Sequence, residues 1–398
     1  MRTTDADWAA ARVAMLLDPA VANLNTGSFG PTPRPVFDRV TALRRRLAEE
    51  PMDFLLRQAP PLLWQARERL AAFLGTAPTR LVFTANVTAA INVVAAGLRL
   101  TAPGDILMSD REYGSMQWAW ERAARRQGLT VRFFHLPLMP RDAGEIVDAV
   151  RAALRPRTRL LHFSHVLSAT GLVLPAKELC DLARRHGVLT VIDGAHAPAM
   201  IPVAIDDIGC DFYGGNCHKW LLAPIGAGFL ALGANAVDRL EPLQVSWGYH
   251  YDRGRADDRD EAGSTYRLRA LEFEGTRDPC PWLVVPDAIG FQAGLSWDAA
   301  RARERALAHR TRERFDGLAG LRLTTPADPG LSGAMTAFWW PPGLDDEVLR
   351  RRLWERRIEA LVNRWPEGLT LRISTHFYNT QAELDRLAEA VPDLARPA

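Results

Sequence analysis

Short apolar runs alternate along the first half of the chain with longer stretches that place an apolar residue every three or four positions. These pairs include RLVFT before VTAAINVVAAGL, DILMSD before SMQWAWERAARRQG, and RLLHFSH before AKELCDLARRHG, which VLTVID follows directly. The alternation predicts β-strands joined by crossover helices, a connection that makes neighbouring strands parallel. Four such units predict a buried α/β sheet that is mostly parallel and flanked by helices.

The composition changes between about residues 250 and 265, where YDRGRADDRDEAGS reads as an exposed loop or hinge. Beyond it, a helical region near 285–318, strands near 334–340 and 369–373, and the amphipathic TQAELDRLAEAV predict a smaller α+β unit. The first residues predict a short amphipathic helix that ends at Asp18-Pro19. We therefore predict a helical segment at 1–20 that packs with the small domain, a large domain at 21–260 and a small C-terminal domain at 261–398.

Composition and charge narrow the classes of function. The chain is 47% hydrophobic and 24% charged with a net charge of +2, and its arginines alternate with acids, as in RVTALRRRLAEE. This pattern indicates solvated helix faces, so we expect a folded protein that binds neither nucleic acid nor membranes.

The start of the chain lacks the features of a signal peptide, which predicts a cytoplasmic protein. The four cysteines lack CxxC spacing, so we expect neither disulfides nor a metal site.

The polar residues that could carry chemistry concentrate between residues 188 and 230. Asp193 ends an apolar strand there, and Lys219 follows in GNCHKWLLAP. Ligands bind at the carboxyl ends of strands in open α/β sheets, because loops and helix N-termini converge at that edge. A buried carboxylate keeps a pyridine nitrogen protonated, and a desolvated lysine forms an imine and moves a proton at a substrate α-carbon. The pair therefore predicts a site for pyridoxal 5′-phosphate (PLP).

A phosphate group needs backbone N–H donors at a helix start together with hydroxyl or imidazole donors. The segment TANVTAAIN offers such a place, because Thr88 lies in the first turn of a predicted helix directly after a strand. Each residue alone is weak evidence, since a strand-end carboxylate is often a cap and a lone lysine is usually solvated. Only their combination favours the cofactor.

These motifs resemble the class V (cysteine desulfurase-like) branch of the fold-type I PLP-dependent enzymes. The similarity covers nearly the whole chain, through NLNTGSFGPTP, FTANVTAAIN, SHVLSATG, VIDGAHA, GNCHKWLLAPIGAGF, EFEGTRD and LRISTHFYNTQAELDRL. Several independent motifs in one order are more specific than a single short pattern. The resemblance implies a large PLP-binding domain with a mostly parallel sheet and a smaller α+β domain.

The resemblance also implies roles for individual residues. Lys219 would form the imine with PLP, and Asp193 would pair with the pyridine nitrogen. Further contacts to the ring and phosphate would come from Val87, Thr88, Tyr113, Ser168, His196, Asn216 and His218. Arg372 in LRIS and Asn25 would bind the substrate, and the planar fork of Arg372 is suited to holding its α-carboxylate. Thr276 of EGTRD would reach the phosphate in a neighbouring subunit, which implies a homodimer.

Two positions depart from the desulfurase pattern. Tyr113 stands where desulfurases place a histidine over the cofactor ring, although a phenol can stack there too. Ser168 stands where many relatives have an asparagine. The alternatives are that Tyr113 only packs, that Ser168 caps a turn and that His196 is a buried core histidine.

The reaction is harder to predict than the cofactor. A desulfurase needs a nucleophilic cysteine shortly before the carboxylate-binding arginine, and RIEALVNRWPEGLTLR contains none. Cys217 lies in the predicted cofactor loop, where a small buried filler fits better than a sulfur acceptor. A carbon-sulfur lyase or an aminotransferase of the same branch stays an alternative. A catalytically silent ligand-binding protein on the same fold is another.

Within the branch, the phrases EPMDFLLR, LVFTANV, HKWLLAP, QVSWGY and EGTRDPCPWL are most similar to amino-acid epimerases of β-lactam biosynthesis. This similarity implies inversion at the α-carbon of the aminoadipyl side chain of a penam. Lys219 is the predicted acid/base on one face, while Tyr113, His196 and a bound water remain open for the other. Arg277 and Arg364 are candidates for binding the distal carboxylate of such a substrate.

Overall fold

The computed structural model describes residues 5–249 and 265–396. Its helices are α1 (Asp5–Val13), α2 (Arg34–Glu49), α3 (Pro51–Asp53), α4 (Ala59–Leu74), α5 (Val87–Gly97), α6 (Gly114–Gln127), α7 (Ala143–Ala153), α8 (Ala176–Arg185), α9 (Ile205–Ile208), α10 (Tyr266–Glu272), α11 (Cys280–Leu283), α12 (Val285–Gly294), α13 (Trp297–Phe315), α14 (Asp346–Glu355) and α15 (Gln381–Leu394). Its strands are β1 (Ala22–Asn23), β2 (Leu81–Thr84), β3 (Asp105–Ser109), β4 (Thr130–Phe134), β5 (Thr158–Ser164), β6 (Leu189–Gly194), β7 (Phe212–Asn216), β8 (Gly228–Leu232), β9 (Arg322–Leu323), β10 (Met335–Trp339), β11 (Ile358–Glu359), β12 (Leu361–Trp365) and β13 (Gly368–Ser374). The predicted boundary between residues 260 and 261 lies outside the described residues.

A seven-stranded sheet forms the centre of the larger part of the molecule, in the order β2-β8-β7-β6-β5-β3-β4. The five strands from β7 to β4 are parallel, and β8 runs antiparallel to both of its neighbours. Every residue of β2, β3, β7 and β8 is buried, because helices cover both faces of the sheet. The prediction of a mostly parallel, helix-flanked sheet is confirmed.

The predicted strand and helix pairs also form where the apolar patterns place them. Helix α5 begins after Asn86, whose side chain caps the helix by accepting a hydrogen bond from the Ala89 N–H. Helix α6 ends at Gly128, which adopts a left-handed conformation with φ of 68°. The N-terminal helix was predicted to reach Asp18-Pro19, and this is wrong, since α1 ends at Val13. The backbone of Met15 instead forms a bridge with Pro33.

A second, four-stranded antiparallel sheet has the order β12-β13-β10-β9 and packs with α13, α14 and α15 around its own apolar core. The segment after α1 joins this part of the chain, because β1 pairs in parallel with β11 and Asn25 bridges to Ser374. Helices α11 and α12 pack in the core of the central sheet instead. The three-part division of the chain stays a prediction.

None of the helices in the described part of the chain combines the length and the apolar character that a membrane span requires.

Candidate active site

A cavity of about 640 Å³ opens at the carboxyl ends of β3, β5, β6 and β7. The structure brings most of the predicted site residues together on its lining, namely Val87, Thr88, Tyr113, Ser168, Asp193, His196, Asn216, His218, Lys219 and Arg372. Asn25 lies just behind the lining, where its Oδ1 accepts a hydrogen bond from Nη2 of Arg372 at 2.9 Å. The cavity lies where an open α/β sheet is expected to bind a ligand.

Lys219 extends into this cavity, and its Nζ lies 3.2 Å from Nε2 of His196. Burial lowers the pKa of its amine to about 7, and the positive charge of Arg372 contributes to the lowering while Asp193 opposes it. A large fraction of the amine is therefore neutral near neutral pH, which a nucleophilic or basic lysine requires.

The loop that carries Lys219 is held from two sides. On one side, the Gly30 N–H donates a hydrogen bond to the His218 carbonyl at 2.9 Å. A β-carbon at Gly30 would lie 2.0 Å from the Lys219 carbonyl, so this close approach requires glycine. On the other side, Gln292 and His376 donate to the Trp220 carbonyl at 2.9 and 3.1 Å. The lysine therefore projects from a rigid support.

Asp193 ends β6 as predicted and is only 3% exposed. Its Oδ1 accepts a hydrogen bond from the Ala195 N–H at 2.8 Å. Burial raises the pKa of the carboxyl, opposed by that hydrogen bond and by the charge of Lys219. Among the described residues no basic side chain lies within ion-pair distance of it. A protonated pyridine nitrogen would supply the missing partner, so the carboxylate fits this cofactor.

His196 is buried beside Lys219, and its Nδ1 accepts a hydrogen bond from the Trp220 indole N–H at 3.4 Å. Burial holds the pKa of the imidazole well below its usual value, and the charge of Lys219 adds to the effect. The ring is therefore neutral, with its proton on Nε2, and it presents a donor toward the cavity.

The start of α5 forms the candidate phosphate cradle. The Val87 N–H donates to Oδ1 of Asn216 at 2.8 Å, so two predicted residues contact each other here. Thr88 is the second residue of the helix, where backbone N–H groups have no intrahelical acceptor. Its hydroxyl adds a further donor, and His218, whose Nδ1 donates to the Ala227 carbonyl at 3.3 Å, lies on the same lining. This donor set fits a phosphate dianion.

Arg372 is a buried cation, 1% exposed, on β13. Its Nη1 donates to the Ser168 carbonyl at 2.5 Å, and its Nη2 donates to Asn25 and, at 3.3 Å, to Ser28. Among the described residues no carboxylate pairs with it, and burial lowers its pKa to about 9. A buried, unpaired guanidinium facing a cavity favours an anionic ligand such as a carboxylate.

Two predicted residues lie in more open positions. Tyr113 is the residue before α6, is 54% exposed and faces the cavity, which leaves its ring accessible for stacking. Thr276 is exposed and does not line the cavity of its own chain. Its predicted contact belongs to a neighbouring subunit and stays a prediction.

Glu112 is a cavity residue that the sequence reasoning missed. It is 5% exposed and accepts hydrogen bonds from the hydroxyls of Ser109 and Ser164 at 2.7 and 2.5 Å. Burial raises the pKa of its carboxyl to about 7, opposed by those serines and assisted by the charge of Asp193. Its position in the loop that follows β3, close to the carboxyl end of that strand, resembles the position of Asp193 on β6, which was the available signal.

The sequence reasoning also missed Arg111, Asn363 and Trp365, which line the same cavity. The sequence suggested Arg277 and Arg364 for binding the distal carboxylate of the substrate, and both of these arginines pair with acidic residues of the chain. Arg364 lines this cavity, as a residue near the substrate should, and it pairs with Asp345 and Asp346. Arg277 pairs with Glu274, and its guanidinium lies 4.0 Å from the ring centre of Trp282.

All four cysteines are free and buried. Burial raises the pKa of the Cys217 thiol far above its usual value, which disfavours the reactive thiolate. This environment agrees with the interpretation of Cys217 as a small buried filler.

A second cleft, of about 720 Å³, lies at the amino ends of β6 and β7. Several arginines line it, but none of the predicted site residues does. The chemistry therefore belongs to the cavity around Lys219.

Comparison with known proteins shows which enzymes this chain is similar to. Residues 31–387 match the family model described as aminotransferase class-V. The isopenicillin N epimerase of Amycolatopsis lactamdurans is 58% identical over 394 residues, which cover 98% of this chain and 99% of that protein. The isopenicillin N epimerase of Streptomyces clavuligerus is 56% identical over 392 residues, 98% of each chain.

Among solved structures, a mutant of C-DES with glycine covalently linked to its PLP cofactor has a TM-score of 0.84 at 22% identity. The match covers 98% of this chain and 100% of that one. At this identity the likeness shows the fold, and the predicted fold-type I class is confirmed.

Proposed function

Because the chain belongs to the aminotransferase class-V family, we propose that it is a PLP-dependent amino-acid epimerase that converts isopenicillin N to penicillin N. The observation that carries the reaction type is the convergence of Lys219, Asp193 and the unpaired Arg372 on one cavity. The substrate is proposed from the two isopenicillin N epimerases that match the chain from end to end at 58% and 56% identity. This reaction belongs to antibiotic biosynthesis.

The residues of the cavity fit PLP. Lys219 would hold it covalently, Asp193 would face its pyridine nitrogen, and His196 would donate to its ring oxygen. Thr88, Asn216 and His218 would surround its phosphate. When bound, PLP withdraws electrons from the substrate's α-carbon and so makes the proton on that carbon acidic.

Arg372 orients the substrate by binding its α-carboxylate through the guanidinium fork. The amine of Lys219, once the substrate's own amine has replaced it on the cofactor, would remove the α-proton on its own face and could return it there. Inversion also requires delivery of a proton on the other face. His196 lies 3.2 Å from Lys219 and hence on the side of the lysine, which favours Tyr113 as the second acid/base. The phenol of Tyr113 faces the cavity from the start of α6.

We also propose that the enzyme acts as a homodimer in which Thr276 contacts the phosphate bound by the partner. Its exposure and its absence from the cavity of its own chain support this assignment. Light scattering of the purified enzyme tests the dimer. Thr276→Val should weaken cofactor binding, whereas a monomeric wild-type enzyme would contradict the proposal.

The proposed reaction is tested by incubating the enzyme and PLP with isopenicillin N in deuterated water and following the products by NMR. We expect solvent deuterium at the α-carbon and a mixture of the two diastereomers, with neither change in Lys219→Ala. Release of pyruvate, sulfide or ammonia would identify a lyase instead. A requirement for an oxo-acid co-substrate would identify an aminotransferase, and failure to bind PLP would identify a silent ligand-binding protein.

A further inference from the structure

Part of the cavity lining consists of Arg111 and residues of strand β12, none of which is a predicted cofactor contact. We propose that Arg111 and Asn363 form a second carboxylate site, which binds the carboxylate on the thiazolidine ring of the penam. The inference rests on the proposed function for the identity of this substrate. It assigns separate arginines to the two ends of a dicarboxylate, with Arg372 at the reacting end.

Arg111 is built to present a planar donor fork. Its side chain is 11% exposed, and its guanidinium lies 5.1 Å from the ring centre of Trp365. Stacking on an indole restricts the orientation of the guanidinium and leaves its edge free for hydrogen bonding. The Nε of Arg111 is buried and makes no hydrogen bond among the described residues, although Oδ1 of Asp110 lies 3.7 Å from it, at ion-pair distance. The group therefore retains unused donor capacity inside the cavity wall.

The present occupant of this fork is itself a carboxylate. Nη1 and Nη2 of Arg111 donate to the two carboxylate oxygens of Glu367 at 3.2 and 2.6 Å. Glu367 lies in the turn between β12 and β13, and its side chain is 48% exposed. An ion pair with an exposed partner is weak and can exchange. Glu367 thus shows which ligand the fork accepts, and a substrate carboxylate can displace it.

Asn363 supplies a second, independent sign of a missing ligand. It lies on β12 and lines the cavity, and its Nδ2 is buried without a hydrogen-bond partner among the described residues. An unsatisfied buried amide N–H is costly, so a ligand acceptor there would remove a penalty. Arg364, the next residue, also lines the cavity, but its partner Asp346 is only 11% exposed, whereas Glu367, which pairs with Arg111, is 48% exposed and more easily displaced.

The primary test compares isopenicillin N with its thiazolidine methyl ester as substrates of the wild type and of Arg111→Gln. We expect the substitution to raise KM for isopenicillin N by about 10- to 100-fold, the range of a charge-assisted hydrogen bond, and to change kcat little. KM for the ester should be unchanged, since the ester lacks the charge. Arg80→Gln is the matched control, because Arg80 also pairs with an acid, Asp206, but lies in the other cleft.

Two further variants keep the test decisive if Arg111→Gln folds poorly. Asn363→Ala should raise KM for isopenicillin N and leave that for the ester unchanged. Glu367→Gln removes the competing carboxylate and should lower KM for isopenicillin N severalfold, which is an effect of opposite sign. Circular dichroism and the visible absorption of bound PLP show whether each variant remains folded and loaded.

Equilibrium binding of the dicarboxylate and of the ester, measured by calorimetry, separates this inference from the proposed function. If the wild type binds isopenicillin N more tightly than the ester, and Arg111→Gln abolishes the difference, the second site exists even when no epimerisation is seen. If the wild type epimerises isopenicillin N but the variants affect both ligands equally, the second site is refuted and the proposed function stands. Equal binding of both ligands by the wild type refutes it as well.

Discussion

The amine of Lys219 lies 3.2 Å from Nε2 of His196, while the indole N–H of Trp220 lies 3.4 Å from the other nitrogen of the same ring. Because Trp220 donates to Nδ1, the neutral imidazole must carry its proton on Nε2. Trp220 thereby selects the tautomer that His196 presents beside the lysine. It acts as a positioning residue, since it is fully buried and does not line the cavity.

Replacing Trp220 with phenylalanine removes this donor and keeps an aromatic ring against His376, on which Trp220 stacks at 5.6 Å. We expect kcat to fall by about 10-fold, the cost of one neutral hydrogen bond, with KM little changed. The matched control is Trp118→Phe, because Trp118 is 67% exposed. Steady-state kinetics decide the question, and an unchanged kcat would show that His196 needs no partner at Nδ1.

The lowered pKa of Lys219 predicts how cofactor capture depends on pH. In the cofactor-free enzyme the rate of PLP attachment should rise with pH through about 7, since only the neutral amine attacks. Arg372→Gln removes a nearby positive charge and should move the midpoint upward. Asp193→Asn removes a negative charge and should move it downward. Stopped-flow absorbance measures both shifts, and midpoints that move in the same direction would contradict the assigned electrostatics.

A buried acid behind the lysine loop should make stability fall as the pH rises. Burial raises the pKa of Glu304 to about 8, and its Oε1 lies 3.2 Å from Nδ1 of His376. Since the folded-state pKa exceeds the ordinary value of 4.5, the stabilisation is complete below that value and is lost as pH rises through about 8.

We therefore expect the free energy of unfolding of the wild type to decrease between about pH 5 and pH 9. Glu304→Gln cannot ionise and should show a flatter profile in urea titrations. Glu313→Gln, an exposed change on the same helix, should follow the wild type. A Glu304→Gln profile as steep as that of the wild type would exclude this carboxyl as the cause.

A buried ion pair joins helices α4 and α10 beside strand β2 of the central sheet. Arg67 and Glu272 are joined by two hydrogen bonds of 2.7 and 2.9 Å, with their side chains 2% and 8% exposed. Arg67→Met leaves a buried carboxylate unpaired and should destabilise the protein by about 3–5 kcal/mol. The exposed Arg69→Met should change the free energy of unfolding little. Chemical denaturation measures both, and adding Glu272→Gln to Arg67→Met should restore much of the loss.

Local sequence patterns predicted the parts of the fold and site that depend on nearby residues. The strand before Asp193 and the helix that contains Thr88 follow from apolar periodicity and from residues adjacent in the chain. The direction of β8 could not be predicted, because a short apolar run has the same pattern in either orientation. The end of α1 depends on a bridge between Met15 and Pro33, which periodicity does not encode.

The residues of the site also fall into two groups, those that a local motif predicts and those that depend on contacts between distant segments. Lys219 and Asp193 were predictable because each sits in a recognisable local motif. The contact of Arg111 with Glu367 joins residues that are 256 positions apart, so no local pattern indicates it. Arg364 was a reasonable candidate by charge alone, yet its acidic partners lie on another segment of the chain. Contacts between separate segments of the chain therefore set the surroundings of each arginine, and the sequence alone does not show them.

The close approach of Gly30 to the Lys219 carbonyl has a consequence for how the enzyme could fail. A stretch near the amino terminus acts there as a brace for the lysine loop, although it contributes no acid or base. A proteolytic nick or a truncation that frees this brace would loosen the lysine without removing any strand of the seven-stranded sheet. If a preparation is folded but inactive, its first thirty or so residues should therefore be checked for cleavage or loss.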